Sequence, residues 1–259
     1  MIRESLQHRL VGMNPHFRYR GLEPGRLENF SDAVFALAIT LLMISTSPPA
    51  NFQQIKRFTY DLLPFLTCIT LIILIWHEHF VFFLRYGLRN ARMIFWNTLF
   101  LVIILFYVYP LKFLTKLILL YPLALLVNDQ ALLEELKGMI SGHDMAHLMV
   151  IYGLGASSVF FVLMMMYRYA LQQADVLDLN DIERFDTKVS VRSNLYMALV
   201  PLFSAFVALI LCNSWLAGPL AGFVYFLYTP IMFAHGRRSE RERKFLLAAK
   251  EVLKPEGEK

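Results

Sequence analysis

The sequence lacks most of the features by which a soluble enzyme announces itself. It has only two cysteines, Cys68 and Cys212, both inside apolar runs. A free thiol in such surroundings behaves as a small hydrophobe, so neither a disulfide framework nor a cysteine zinc site is indicated. There is no phosphate-binding loop, no nucleophile elbow and no H-E-x-x-H zinc signature. His143, Asp144 and His147 are the nearest approach to a metal set, since histidines at i and i+4 share a helix face; a surface or capping role is the reading preferred. The acidic stretch 170–193 has no glycine for a calcium-loop turn and reads as a solvated mixed-charge linker or helix. A cleavable signal peptide is also missing, because residues 1–27 are polar and arginine-rich with no apolar core. The first helix is therefore expected to remain in the mature protein.

What is present is apolar. Hydrophobic residues make up 57% of the 259 positions, against about 45–50% in a typical soluble domain. They gather into six runs, at about 30–46, 59–84, 94–120, 146–169, 194–213 and 216–234. Roughly 20 residues at a 1.5 Å rise cross a hydrocarbon core of about 30 Å. Pro48-Pro49 closes the first run, and Asn213, Ser214 and Trp215 form a tight hairpin between the last two. An all-α, polytopic six-span bundle follows. Its expected division is a basic N-terminal segment 1–27, a membrane domain 28–235 and a basic amphipathic tail 236–259.

Twenty of the 25 Lys and Arg residues fall on the side that carries both termini. The other side holds only Lys56, Arg57, Lys112, Lys116 and Lys137. The positive-inside bias places both termini in the cytoplasm. The net charge of +5 and pI near 9.2 therefore speak for membrane orientation and anionic lipid, not nucleic acid. The tail carries Arg237, Arg238, Arg241, Arg243 and Lys244 before an apolar stripe of Phe245, Leu246, Ala249, Val252 and Leu253. It suits an anionic lipid surface or a neighbouring subunit; the plain alternative is a continuation of the last span. Segment 121–145 shows Leu132, Leu133, Leu136, Met139 and Ile140 on one helical face and is expected to lie at the interface or cap the bundle.

The chemistry concentrates in Arg26-Leu27-Glu28-Asn29-Phe30-Ser31-Asp32. An ionisable group within a span is costly and marks a functional or architectural site. Trp76, His77, His79 and Asn97 fall at the same depth and are its candidate partners. The cluster serves either to hold three helices together or to support a pathway, and the two roles are compatible. Below Asp32, Leu37, Thr40 and Ile44 share one helix side. Around a symmetry axis they would stack as rings able to gate by dewetting, although any transmembrane helix yields such a stripe. Ala33, Ala36 and Ala38 allow close helix approach.

Arg26, Phe30, Ser31, Asp32, Ala36, Ala38, Thr40 and Leu41 fit the pattern R-x-x-x-F-S-D-x-x-x-A-x-A-x-T-L. In this the chain resembles the transmembrane protein 175 family of potassium channels. Trp76 with His79, then Asn97 and Pro110, are similar to further family positions, so the likeness runs over residues 26–114. The resemblance implies a single-repeat, six-span protomer that assembles as a homotetramer around its first helix. It implies passive K⁺ conduction with no cofactor and no T-V-G-Y-G filter. It further implies an apolar constriction at Leu37, with Thr40 and Ile44 beyond, supported by Arg26, Phe30, Ser31, Asp32, Trp76, His77, His79 and Asn97. Leu37 stands where isoleucine is frequent, and Met43-Ile44-Ser45-Thr46-Ser47 departs from the usual ending. A bacterial or archaeal plasma membrane is the implied location. The competing classes are a secondary transporter, which would show internal repeats and broken helices, an intramembrane metalloenzyme, and a non-conducting structural membrane protein.

Overall fold

The computed structural model describes residues 14, 17–44, 50–141, 144–214 and 216–252. Ser45–Pro49, His143, Trp215 and Leu253 lie outside the described residues, as does most of segment 1–27 up to His16. Eight α-helices occur among the described residues: α1 Arg26–Ile44, α2 Phe52–Tyr86, α3 Ala91–Val127, α4 Gln130–Met139, α5 Asp144–Gln172, α6 Asp181–Ile210, α7 Ala217–Val224 and α8 Tyr228–Val252. A 3₁₀ turn, Tyr225–Leu227, joins α7 to α8. Six stretches are long and apolar enough to cross a membrane: α1, Phe58–Tyr86 of α2, α3, α5, α6, and Ala217–Ala249 across α7 and α8. Each contains or overlaps one of the six apolar runs.

The helix ends are chemically marked. Asn51, Asn90 and Asp129 each accept a hydrogen bond from a backbone N–H of the first turn, at 2.9, 3.0 and 3.1 Å, satisfying donors that a helix leaves open. Gly87 closes α2 in the left-handed conformation, φ 56°, which a side chain would resist. Proline stands inside α2, α3 and α6 (Pro64, Pro110, Pro122 and Pro201), as membrane-spanning helices tolerate.

Three apolar clusters occur among the described residues, and the two largest set the frame. The larger joins α1, α2, α3 and α5 around Phe35, Phe82, Phe100 and Tyr167. The smaller seats Leu132, Leu133 and Leu136 of α4 on Leu117, Leu120 and Ala124 of α3. The apolar face read at 132–140 thus caps the bundle. α5 and α6 form the most extensive helix pair. A Cβ on Gly153 would stand 2.5 Å from the Pro201 carbonyl oxygen, so only glycine permits this approach.

The stretch 170–193 keeps Asp175 and Asp178 exposed and turns helical at Asp181, as a solvated mixed-charge linker or helix would; Glu183 is the exception. α6 begins at Asp181, set by a capping box in which Asn180 and Glu183 satisfy each other's backbone N–H groups. Glu183 is not solvated but 1% exposed. The Arg18 N–H and the Arg20 guanidinium donate to its two oxygens at 2.6 and 2.8 Å. Arg20 also donates to the Leu177 carbonyl at 2.8 Å. Gly21 N–H reaches the Leu84 carbonyl at 3.0 Å, and Asn14 bridges Asp186 and Arg243. Asn14 and a strap of residues 17–22 therefore tie the end of α2, the α5–α6 turn and α8 into one polar collar. α8 itself runs unbroken past residue 236.

Candidate functional site

α1 presents two unlike faces. Ser31, Phe35, Ala38 and Leu42, spaced four, three and four, are buried against α2 and α3. Leu37 and Ile44 on the other side are 49% and 71% exposed, with Ala33 and Thr40 exposed between and above them. Ala33, Leu37, Thr40 and Ile44 repeat the four-three-four spacing, so they form one stripe left exposed among the described residues. The Thr40 hydroxyl donates to the Ala36 carbonyl at 2.8 Å. Its proton is thereby engaged within the helix, and its oxygen is left as an acceptor on the open face.

The buried face is held by a directional relay. Ser31 Oγ donates to the Leu27 carbonyl at 2.8 Å, so it can only accept from Asn97 Nδ2, at 2.9 Å. Asn97 therefore turns its carbonyl oxygen towards His79, whose Nε2 lies 2.7 Å away and must carry the proton. Ser31, Asn97 and His79 are all buried. The His79 ring stacks on Phe100 at 5.3 Å and packs against Phe35 and Phe83. Every member of this chain has a partner, as a polar group in a low-dielectric site requires.

Asp32 belongs to a second, exposed tier. It accepts from Trp76 Nε1 at 2.8 Å, and Trp76 stacks on Phe80. Five expected residues thus come together in three helices: Ser31, Asp32, Trp76, His79 and Asn97. Three do not. Phe30 is exposed on the outside of α1. Arg26 is exposed at the first position of α1, and among the described residues no bond links it to the relay. His77 is two positions from His79, so the helix turns it to another side; it lines a separate cavity with Tyr107 and Tyr152.

Two anchors of α1 escaped the sequence reading. At its N-terminal end Glu28 accepts from the Gly25 N–H and pairs with Arg89 at 3.3 Å, which suits a carboxylate in a first helical turn. At the other end Lys112 of α3 donates to the Leu42 carbonyl at 2.7 Å, satisfying one of the carbonyls a helix end leaves open. The signal for Lys112 was available: an ammonium within an apolar run needs a partner.

Comparison with known proteins gives this geometry its setting. Residues 26–107 match the family model described as endosomal/lysosomal potassium channel TMEM175. Over 255 residues the chain is 43% identical to a potassium channel of Marivirga tractuosa, covering 92% of this chain and 96% of that one. A potassium channel of Chamaesiphon minutus is 31% identical over 102 residues, 36% of this chain and 50% of the relative. Among solved structures, a variant of the potassium channel MtTMEM175 in complex with a nanobody–MBP fusion superposes with a TM-score of 0.78 at 42% identity. That match covers 89% of this chain and all of the other.

Proposed function

This chain belongs to the TMEM175 family, and on that premise we propose that it is a multi-pass membrane potassium channel whose ions pass along the open face of α1. Four copies surround a common axis, each contributing Ala33, Leu37, Thr40 and Ile44. Leu37 supplies the narrowest apolar ring, Thr40 a ring of hydroxyl oxygens able to replace part of a K⁺ hydration shell, and Ile44 a second apolar ring. Conduction is passive, K⁺ is the permeant ion, and the reading calls on no bound cofactor.

The observation that supports it is the two-faced packing of α1. A stripe left bare along a helix that is otherwise anchored by polar contacts, with the Thr40 oxygen as an acceptor on it, is free to line an axis shared between copies. The Ser31–Asn97–His79 relay and the Asp32–Trp76 bond then act as positioning groups that fix the rotation of α1 about its own axis. Both termini face the cytoplasm of a bacterial or archaeal cell, at the plasma membrane. The basic stretch of α8 rests on anionic lipid headgroups there.

The test is K⁺ and Na⁺ flux into liposomes holding the purified protein. Flux of K⁺ above that of Na⁺, lost on blocking the α1 face with a bulky thiol reagent at Leu37→Cys, is the expected result. Vesicles that pass no more cation than empty controls would sink the proposal.

A further inference from the structure

Away from α1, a cavity of about 400 Å³ opens between α2, α3, α5, α6 and the α7–α8 junction. Its size is that of a small-molecule site. Tyr107, Tyr152, Tyr225 and Tyr228 line it in a continuous series, with ring centroids 5.4, 5.9 and 6.0 Å apart. Glu78 stands at its edge, eight residues before the end of α2 and so about 12 Å along the helix. No Lys or Arg lines the cavity, and among the described residues Glu78 has neither an ion pair nor a hydrogen bond. A carboxylate within a span and without a counter-ion marks a site by its expense alone. The remaining walls, Leu111, Val159 and Phe160 among them, are apolar.

We propose that this cavity binds an amphiphilic organic cation, its ammonium head between Glu78 and the tyrosine rings and its hydrocarbon body against the apolar walls. Aromatic faces attract a cation through their quadrupole, and the attraction grows when the group is desolvated. Glu78 supplies the neutralising charge that the chain itself does not provide. An anionic or neutral guest would leave that carboxylate unpaired. All the walls come from a single protomer, so the site exists once per chain and is separate from the α1 stripe.

The probes are hexyltrimethylammonium and the uncharged 1-hexanol, titrated calorimetrically into the full chain in lipid nanodiscs. Saturable binding of the ammonium at one per protomer is expected, with the alcohol at least tenfold weaker. Glu78→Gln, isosteric at an exposed position, and Ala156→Leu, which fills the cavity, should each weaken the ammonium at least tenfold, while Thr40→Ala on the α1 face leaves it unchanged. Absence of saturable binding, equal binding of the alcohol, or full affinity in a Glu78→Gln protein with unaltered thermal unfolding would overturn the proposal. Loss of binding in Thr40→Ala would move the site to the α1 face and overturn it too.

Discussion

The α5–α6 pair and α1 are held in place by opposite means. α5 and α6 press backbone on backbone through Gly153 and Ala205, with contact along most of their length. α1 touches its neighbours with one stripe, is pinned at a few polar points and leaves its other side bare. In lipid, apolar contact between helices gains little over contact with acyl chains, so association rests on close packing and on hydrogen bonds. The first pair uses the close packing, although its outward side chains, Leu154, Leu199 and Phe206 among them, are exposed. α1 uses the hydrogen bonds, and so keeps a face free for work.

That contrast can be broken from either side. Gly153→Leu should have the largest effect, on the order of 3 kcal/mol of destabilisation, because overpacking a tight contact displaces both helices. The readout is a lower unfolding temperature and yield, with unaltered K⁺/Na⁺ preference in whatever protein survives. Asn97→Ala should come next, at about 2 kcal/mol, because it strands Ser31 and His79 in the protein interior. Unlike the glycine variant, it should also change conduction, by releasing the rotation of α1. Survival of both stability and flux would show the relay to be dispensable. Asp32→Ala should cost about 1 kcal/mol through the lost Trp76 bond, seen as a reduced tetramer fraction on size exclusion. Asp32→Asn keeps an acceptor for the indole and should recover most of it. Leu37→Ala should have the smallest effect on the unfolding temperature, since about half of the residue (49%) is exposed among the described residues. It should raise basal current or weaken selectivity. A stability loss as large as that of Asn97→Ala would place Leu37 in a packed interface.

Much of this was legible in the sequence, and the exceptions share a cause. Spans could be read because a run of about 20 apolar residues has one economical fate. Ser31, Asp32, Trp76, His79 and Asn97 could be read because a polar group at membrane depth must find another at the same depth. His77 was drawn into that group by depth alone, although its two-residue offset from His79 turns it to a different side of α2. The stretch 170–193 looked solvated because its charges were weighed against one another. Asp175 does pair locally with Arg184, but the partners of Glu183, Arg18 and Arg20, lie some 160 residues earlier, and no local pattern reveals a pairing at that range. Lys112 was counted only as a topological charge, so its acceptor on Leu42 went unsought.

The anchors of α1 are unequal at its two ends. At its N-terminal end Glu28, Ser31 and Asp32 fasten it to α2, α3 and the loop between them; towards its C-terminal end the Lys112 ammonium holds the Leu42 carbonyl. A rod fastened this way is a lever with its fulcrum near Ser31. From there to Ile44 the helix is about 20 Å long, so a swing of about 10° carries Ile44 sideways by roughly 3 Å while Leu37 moves about half as far. Leu37 and Ile44 are therefore not equivalent under such a motion: the residue beyond the Lys112 contact travels about twice as far as the one nearer the fulcrum.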